Sequence, residues 1–265
     1  MTAAILLQVD EGLARLTLNR PERLNAFNSD LAFAWRDATA EATSRDDVRA
    51  ILVDAAGPAF CAGGDVLEMA TTMGDGAPLT ELAGVINSGI RALTESSIPV
   101  VAAAHGTTAG GGLGILLSTD YAVVGSRSKL GSLYANIGLT PDLSVSAHLA
   151  DAVGQRRALQ LVLQDRLLTA EEALEWGLVA EVVSGADAAD EVDRVRQRAE
   201  EVARFWLAGA AGAYGQAKRL VRSQPARSFE EQLAEEARSI GAAFDTEDAK
   251  ARVAAFAAAS AKKAR

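Results

Sequence analysis

Cysteine is almost absent. Cys61 is the only one in 265 residues, so no disulfide can close within the chain. That suits a reducing compartment, and a cytoplasmic protein is expected. Histidine occurs twice, at His105 and His148, and the spacing around neither builds a metal site. Aromatic residues make up 5% of the chain, so small aliphatic side chains must fill the core. Positive charge is in deficit, with a formal net charge of −9. This excludes a broad basic face for nucleic acid, because phosphate contacts need clustered Lys and Arg. A local basic pocket for one phosphorylated ligand stays compatible with it. The one dense basic run, "AKKAR" at the C-terminal end, reads as a solvated tail. Uninterrupted hydrophobic runs are also missing. The most apolar region, Ile98 to Val124, is broken by His105, threonines, glycines and Asp120, so no membrane span is expected. The opening "MTAAILLQVDEG" lacks a basic n-region and turns acidic too early for a signal peptide.

What is present is ordinary for a globular chain: 49% apolar and 23% charged residues. "LARLTLN" alternates apolar and polar residues as a half-buried strand does. Ser29 is placed to cap a helix that carries Leu31, Ala34, Trp35, Ala38 and Ala42 on one face. "VRAILVDAA" and "IPVVAAAHG" read as buried strands, with "LTELAGVINSGIRALTES" helical between them. "AGGGLGILLS" opens a further helix and "DYAVVG" is again a strand. Strand–helix alternation predicts an α/β architecture. Beyond about residue 140 the pattern turns helical. Thr169 with Glu172, and Ser228 with Glu231, stand at capping-box spacing, and Gly177 is a C-terminal stop. Val192, Val195, Ala199, Val202 and Trp206 form one stripe, and the last helix begins near Thr246. The narrow stripes of the C-terminal helices fit packing either on their own core or on another subunit. A core over 1–195 and a helical region over 196–265 are expected.

Two glycine-rich segments each follow a strand: "CAGGD", and "HGTTAGGGLG", which runs into a helix. Such glycines allow positive φ and close approach to the backbone, and amides at a helix start are ready donors to an anion. The second segment does not have the G-x-G-x-x-G spacing of a dinucleotide site. An oxyanion hole with one N–H from each loop, or simple close packing of strand and helix, fits both segments.

Taken in order, "LTLNRPERLNAFN", "AGPAFCAGGD", "HGTTAGGGLGI" and "LLTAEEALEWGLVAEVV" resemble four motifs of the crotonase superfamily, the enoyl-CoA hydratases and isomerases. The resemblance runs through nearly the whole chain. It implies a spiral of β-β-α turns with a C-terminal helical region, in trimers or dimers of trimers. It also implies an acyl-coenzyme A thioester as substrate, with no separate cofactor. The N–H groups of Gly64 and Gly111 would form the oxyanion hole. Glu22, Arg23, Leu24, Ala62, Asp65 and Val66 would line the coenzyme A site, with Phe256 as its C-terminal aromatic residue.

Hydratases of that family use two glutamates. Aligned by motif, those positions here are Gly114 and Tyr134, so the hydratase pair does not carry over. "IGLTPD" resembles instead the segment of phenylacetate-type enoyl-CoA isomerases whose Asp acts as base, which gives Asp142 that role. One carboxylate between the α- and γ-carbons can remove a proton from one and return it to the other. Moving a double bond from the 3,4 to the 2,3 position is therefore the expected reaction. Hydration by water beside Asp142, and acyl-CoA binding with little catalysis, are the alternatives. Dehalogenation is disfavoured, because the histidine and tryptophan positions of those relatives are Asn87 and Tyr134. Read without the resemblance, Asp142 is better taken as a Pro-Asp turn that caps the next helix. Tyr134 fits a pocket wall, a hydrogen-bond donor or a core residue. His148 either faces the pocket or caps the helix. Cys61 reads as a buried thiol, and His105 as the end of a buried strand.

Overall fold

The computed structural model describes residues 3–164 and 166–263. The last two residues of the "AKKAR" end therefore lie outside the described residues. Strand β1 (Ile5–Asp10) turns back through Glu11 and Gly12 into β2 (Leu13–Leu18). Both turn residues have positive φ, 47° and 87°, the backbone that a tight two-residue hairpin requires. β2 then pairs in parallel with β3 (Ala50–Ala55), β3 with β4 (Val100–Ala104), β4 with β6 (Tyr121–Gly125), and β6 with β9 (Glu181–Val183). This makes a six-stranded sheet in the order β1-β2-β3-β4-β6-β9. A second, three-stranded sheet is built from β5 (Thr107–Ala109), β7 (Lys129–Gly131) and β8 (Leu167–Thr169). From β4 onward the chain passes back and forth between the two sheets as it winds, which gives the expected spiral.

Side chains alternate across the large sheet. Ile51, Val53, Ala102 and Ala104 face helices α1 (Ser29–Ser44) and α3 (Gly76–Glu95). There the wholly buried Trp35 meets Phe27 edge-to-face at 6.2 Å and donates from Nε1 to the Ile86 carbonyl. On the other face Ala50, Leu52, Val101, Ala103 and Val123 pack beneath α8 (Ala188–Ala208). α8 runs unbroken across residues 195 and 196, and Val195, Ala199, Val202 and Ala203 all lie in that one cluster. Of the predicted stripe, Val192 and Trp206 are only half-buried.

The cap of α1 is a correction. Asn28, not Ser29, accepts from the Leu31 N–H at 3.0 Å. Ser29 is the first helical residue, and its hydroxyl is taken by Glu68 at 2.6 Å. Asn caps as well as Ser, so a competing carboxylate decides between them. Both expected capping boxes form, and Gly177 ends its helix in the left-handed region. Helices α9 (Ala211–Ser223), α10 (Phe229–Phe244) and α11 (Glu247–Lys263) close the chain. They leave Phe229, Ile240, Phe244 and Phe256 more than half exposed. Among the described residues no helix is long and apolar enough to cross a membrane.

Candidate active site

Two loops leave the large sheet side by side. The first, residues 56–65, is pinned at its base by Asn25 and His105. Asn25 is fully buried in a left-handed conformation and donates to the carbonyls of Ala56 and Ala59 at 2.9 Å each. His105 directly follows β4 and is buried, and its Nε2 lies 2.7 Å from the Gly57 carbonyl. The second loop carries β5 and enters helix α4 (Gly111–Leu117), every residue of which is buried. The loops are bound to each other: Phe60 N–H donates to the His105 carbonyl, Cys61 N–H to Thr107, and Ala109 N–H to Cys61. Their approach requires glycine. A Cβ at Gly112 would strike the Cys61 carbonyl oxygen, and Gly63 and Gly110 have φ of 112° and 53°.

The loops converge where the two amides were expected. A Cβ built on Gly63 would lie 3.5 Å from the Gly111 nitrogen. Among the described residues the N–H groups of Gly64 and Gly111 donate to no protein acceptor. Gly111 is also the first residue of α4, where backbone N–H groups are left over and the helix dipole is positive. Two free donors in a packed corner can hold a developing oxyanion.

Asp142 comes to the same corner. It follows β7 in the segment that runs over α4. The Tyr134 hydroxyl donates to its Oδ1 at 2.6 Å, and Tyr134 Cζ lies 4.0 Å from where a Cβ of Gly110 would stand. The next residue, Leu143, touches Gly111: its Cδ1 would lie 2.6 Å from a Cβ there. Its carbonyl oxygen fills the space that a side chain at Gly114 would need. Burial pushes the Asp142 carboxyl above its ordinary value, and the Tyr134 hydrogen bond pulls the other way. Burial and the neighbouring carboxylate both raise Tyr134, so the shared proton stays on the phenol. The Pro-Asp cap is not made: the cap position of α5 (Val145–Val153) is Ser144, and no side chain caps that helix.

Of the other expected residues, Asp65 is buried and binds Arg20 at 2.8 Å and Arg23 at 3.0 Å. It also caps α2 (Val66–Thr72) through the N–H groups of Leu67 and Glu68. Burial opposes ionisation, but the two guanidinium groups and the Glu68 N–H outweigh it and bring Asp65 to about 2. Arg20, Glu22, Arg23 and Asp65 line one side of a surface depression of about 500 Å³. Leu24 and Val66 are exposed nearby in the chain, and the Ala62 N–H donates to the Leu24 carbonyl. Phe256 is three-quarters exposed on α11 and does not line that depression. His148 faces away, into a separate cavity of about 770 Å³ that includes neither Asp142 nor Gly111. Burial holds Cys61 at about 12, an inert thiol. Arg20 and Asn25 escaped the sequence reading. Both lie in "NRPERLN", and their side chains hold loop backbone and Asp65 rather than a reacting group.

A family model described as Enoyl-CoA hydratase/isomerase matches residues 8–262. The trans-2-decenoyl-[acyl-carrier-protein] isomerase of Streptococcus mutans is 35% identical over 196 residues, covering 73% of this chain and 74% of that protein. The 1,2-epoxyphenylacetyl-CoA isomerase of Escherichia coli is 30% identical over 235 residues, covering 88% and 87%. The solved structure of an enoyl-CoA hydratase from Mycobacterium smegmatis superposes with a TM-score of 0.85 at 25% identity, covering 96% and 95%.

Proposed function

The chain belongs to the enoyl-CoA hydratase/isomerase family, and from that premise we propose that it shifts the double bond of an enoyl-CoA from the 3,4 to the 2,3 position. The observation that carries this reading is the single carboxylate, Asp142, held by Tyr134 beside the free amides of Gly64 and Gly111. The thioester oxygen sits between the two N–H groups. Asp142 takes the α-proton through its free Oδ2, and the electron pair passes through the thioester to the oxyanion. The resulting dienolate then takes the same proton back at the γ-carbon, which leaves the 2,3 double bond and an ionised Asp142. Burial strengthens the carboxylate as a base. Tyr134 walls the acyl pocket, whereas Gly114, expected beside it, lies beneath the Leu143 carbonyl.

Glu22, Arg23, Leu24, Ala62, Asp65 and Val66 receive coenzyme A in this reading, and the thioester is the only non-protein group it requires. Phe256 and the apolar faces of α10 and α11 are assigned to contacts between copies in a trimer or dimer of trimers. A cytoplasmic location suits a chain with one cysteine.

Hydration is the competing reaction, because the M. smegmatis structure of the same fold is named a hydratase. The protein is incubated with 3-enoyl-CoA and, separately, with 2-enoyl-CoA, and conjugation and water addition are followed. Conjugation of the first without hydration of the second is expected. Hydration without migration would reverse the assignment. Tight acyl-CoA binding with no turnover and no α-proton exchange in heavy water would make the protein a binder instead of an enzyme.

A further inference from the structure

Directly after the carboxylate, two consecutive non-glycine residues adopt left-handed backbone, Leu143 at φ 48° and Ser144 at φ 69°. Neither residue type favours that region, so the surroundings must impose it. What imposes it is α4. The buried Leu143 side chain rests on Gly111, and its carbonyl oxygen rests on Gly114. Among the described residues that carbonyl accepts no hydrogen bond. No polar partner draws it there, and shape alone seats it. The Val145 N–H donates to the Asp142 carbonyl at 2.9 Å and closes the turn. Asp142 is thus anchored twice, by its side chain to Tyr134 and by its neighbour to the glycine face of α4.

We propose that Leu143 is a positioning residue that fixes the Asp142 carboxylate relative to the Gly111 amide, with Gly111 and Gly114 as the seat it requires. The base and the oxyanion donor then keep one spacing, because the wedge that carries the base touches the residue that carries the donor. Gly114 is accordingly not an empty catalytic position. A carboxylate side chain at 114 and the Leu143 carbonyl demand the same volume and exclude each other. The proposal rests on the isomerase reading for its effect on rate, but its geometry is tested without it.

Three variants decide the matter: Gly114→Ala, whose Cβ evicts the carbonyl, Leu143→Ala, which removes the wedge, and Leu143→Met, which refills it. Each is measured for double-bond migration and, by carbon-13 NMR of its carboxyl, for the titration of Asp142. Gly114→Ala and Leu143→Ala are expected to lose about ten- to a hundredfold in kcat, the scale of a displacement near 1 Å. Their KM should stay within about twofold, since the coenzyme A contacts lie elsewhere. With the carboxylate released toward water, its titration midpoint should fall toward the ordinary value of 3.8. Leu143→Met should recover most of the rate and the wild-type midpoint. A folded Gly114→Ala with unchanged kcat and midpoint overturns the proposal. If that variant does not fold, Leu143→Ala against Leu143→Met decides on the same two readouts. If the wild type moves no double bond, the isomerase reading fails and the titration midpoints alone decide the positioning role.

Discussion

Tyr134 and Asp142 share a hydrogen bond of 2.6 Å in which the phenol is the donor. The bond occupies Oδ1 and leaves Oδ2 as the one oxygen free to act as base. It also favours the ionised carboxylate against burial, which favours the protonated one.

Tyr134→Phe removes the donor and leaves the burial. The carboxyl then holds its proton to higher pH. Since the ionised form is the base, the acid limb of the rate profile should move upward. On the acid limb migration is expected to fall by about tenfold, with a loss of no more than about threefold on the high-pH plateau. A pH profile of kcat/KM checks this, and a limb that stays in place would detach Tyr134 from the titration of Asp142.

Asp142→Asn should separate activity from stability. A carboxyl whose folded value is raised binds more protons folded than unfolded. Its contribution is fully present below the ordinary 3.8 and is lost as pH rises through the raised folded value. At pH 7 the ionised group is therefore a liability that Asn does not carry, and the Asn oxygen still accepts from Tyr134. The melting temperature at pH 7 is expected to rise by about 2–4 °C, and the gain should vanish below pH 3.8. Migration should fall by about 10²–10⁴. Calorimetry at the two pH values and a rate assay measure the opposite signs.

These two residues were both legible in the sequence as site candidates, but the bond between them was not. Eight positions separate them, and no periodic element connects them. The long elements, such as β3, α3 and α8, were readable because their apolar spacing is sustained over many residues. β5, β7 and β8 were not, since three residues hold too little alternation and these strands exist only because each pairs with the next. Leu143 and Ser144 were illegible for another reason. Their backbone is imposed by the glycines of α4, more than twenty-five residues earlier in the chain, against the preference of both residue types. The resemblance makes Asp65 a coenzyme A contact, whereas its bonds show a residue that holds the frame of that loop.

Asp65 tests that frame. Its folded value of about 2 lies below the ordinary 3.8. The stabilisation is therefore present above 3.8 and is lost as pH falls toward 2. Asp65→Ala removes both the cap of α2 and the partner of two arginines. A loss of about 2–3 kcal/mol is expected at pH 7, the low end for a broken buried pair because water still reaches Arg23. Asp65→Asn keeps the cap and should lose about half as much. Urea unfolding at pH 7 and pH 3 measures both, and the variants should converge with the wild type as the pH falls.

The amide of Gly64 carries the last prediction. Alanine there would be a poor probe, since it keeps the N–H and its Cβ meets only the flexible end of Met69. Gly64→Pro deletes the N–H and sets the ring Cδ where the hydrogen stood. The bonds that tie this loop to Phe27 run through the Gly63 carbonyl and the Asp65 N–H, so they are left in place. Losing one of two oxyanion donors should cost about 10²–10³ in kcat. Binding of free coenzyme A should stay within about twofold, because it places no carbonyl at that amide. Calorimetric titration with coenzyme A, beside the rate assay, separates the two. Equal losses in coenzyme A affinity and in rate would mean that the variant disturbs the whole loop, and the assignment of this amide to the oxyanion would lose its support.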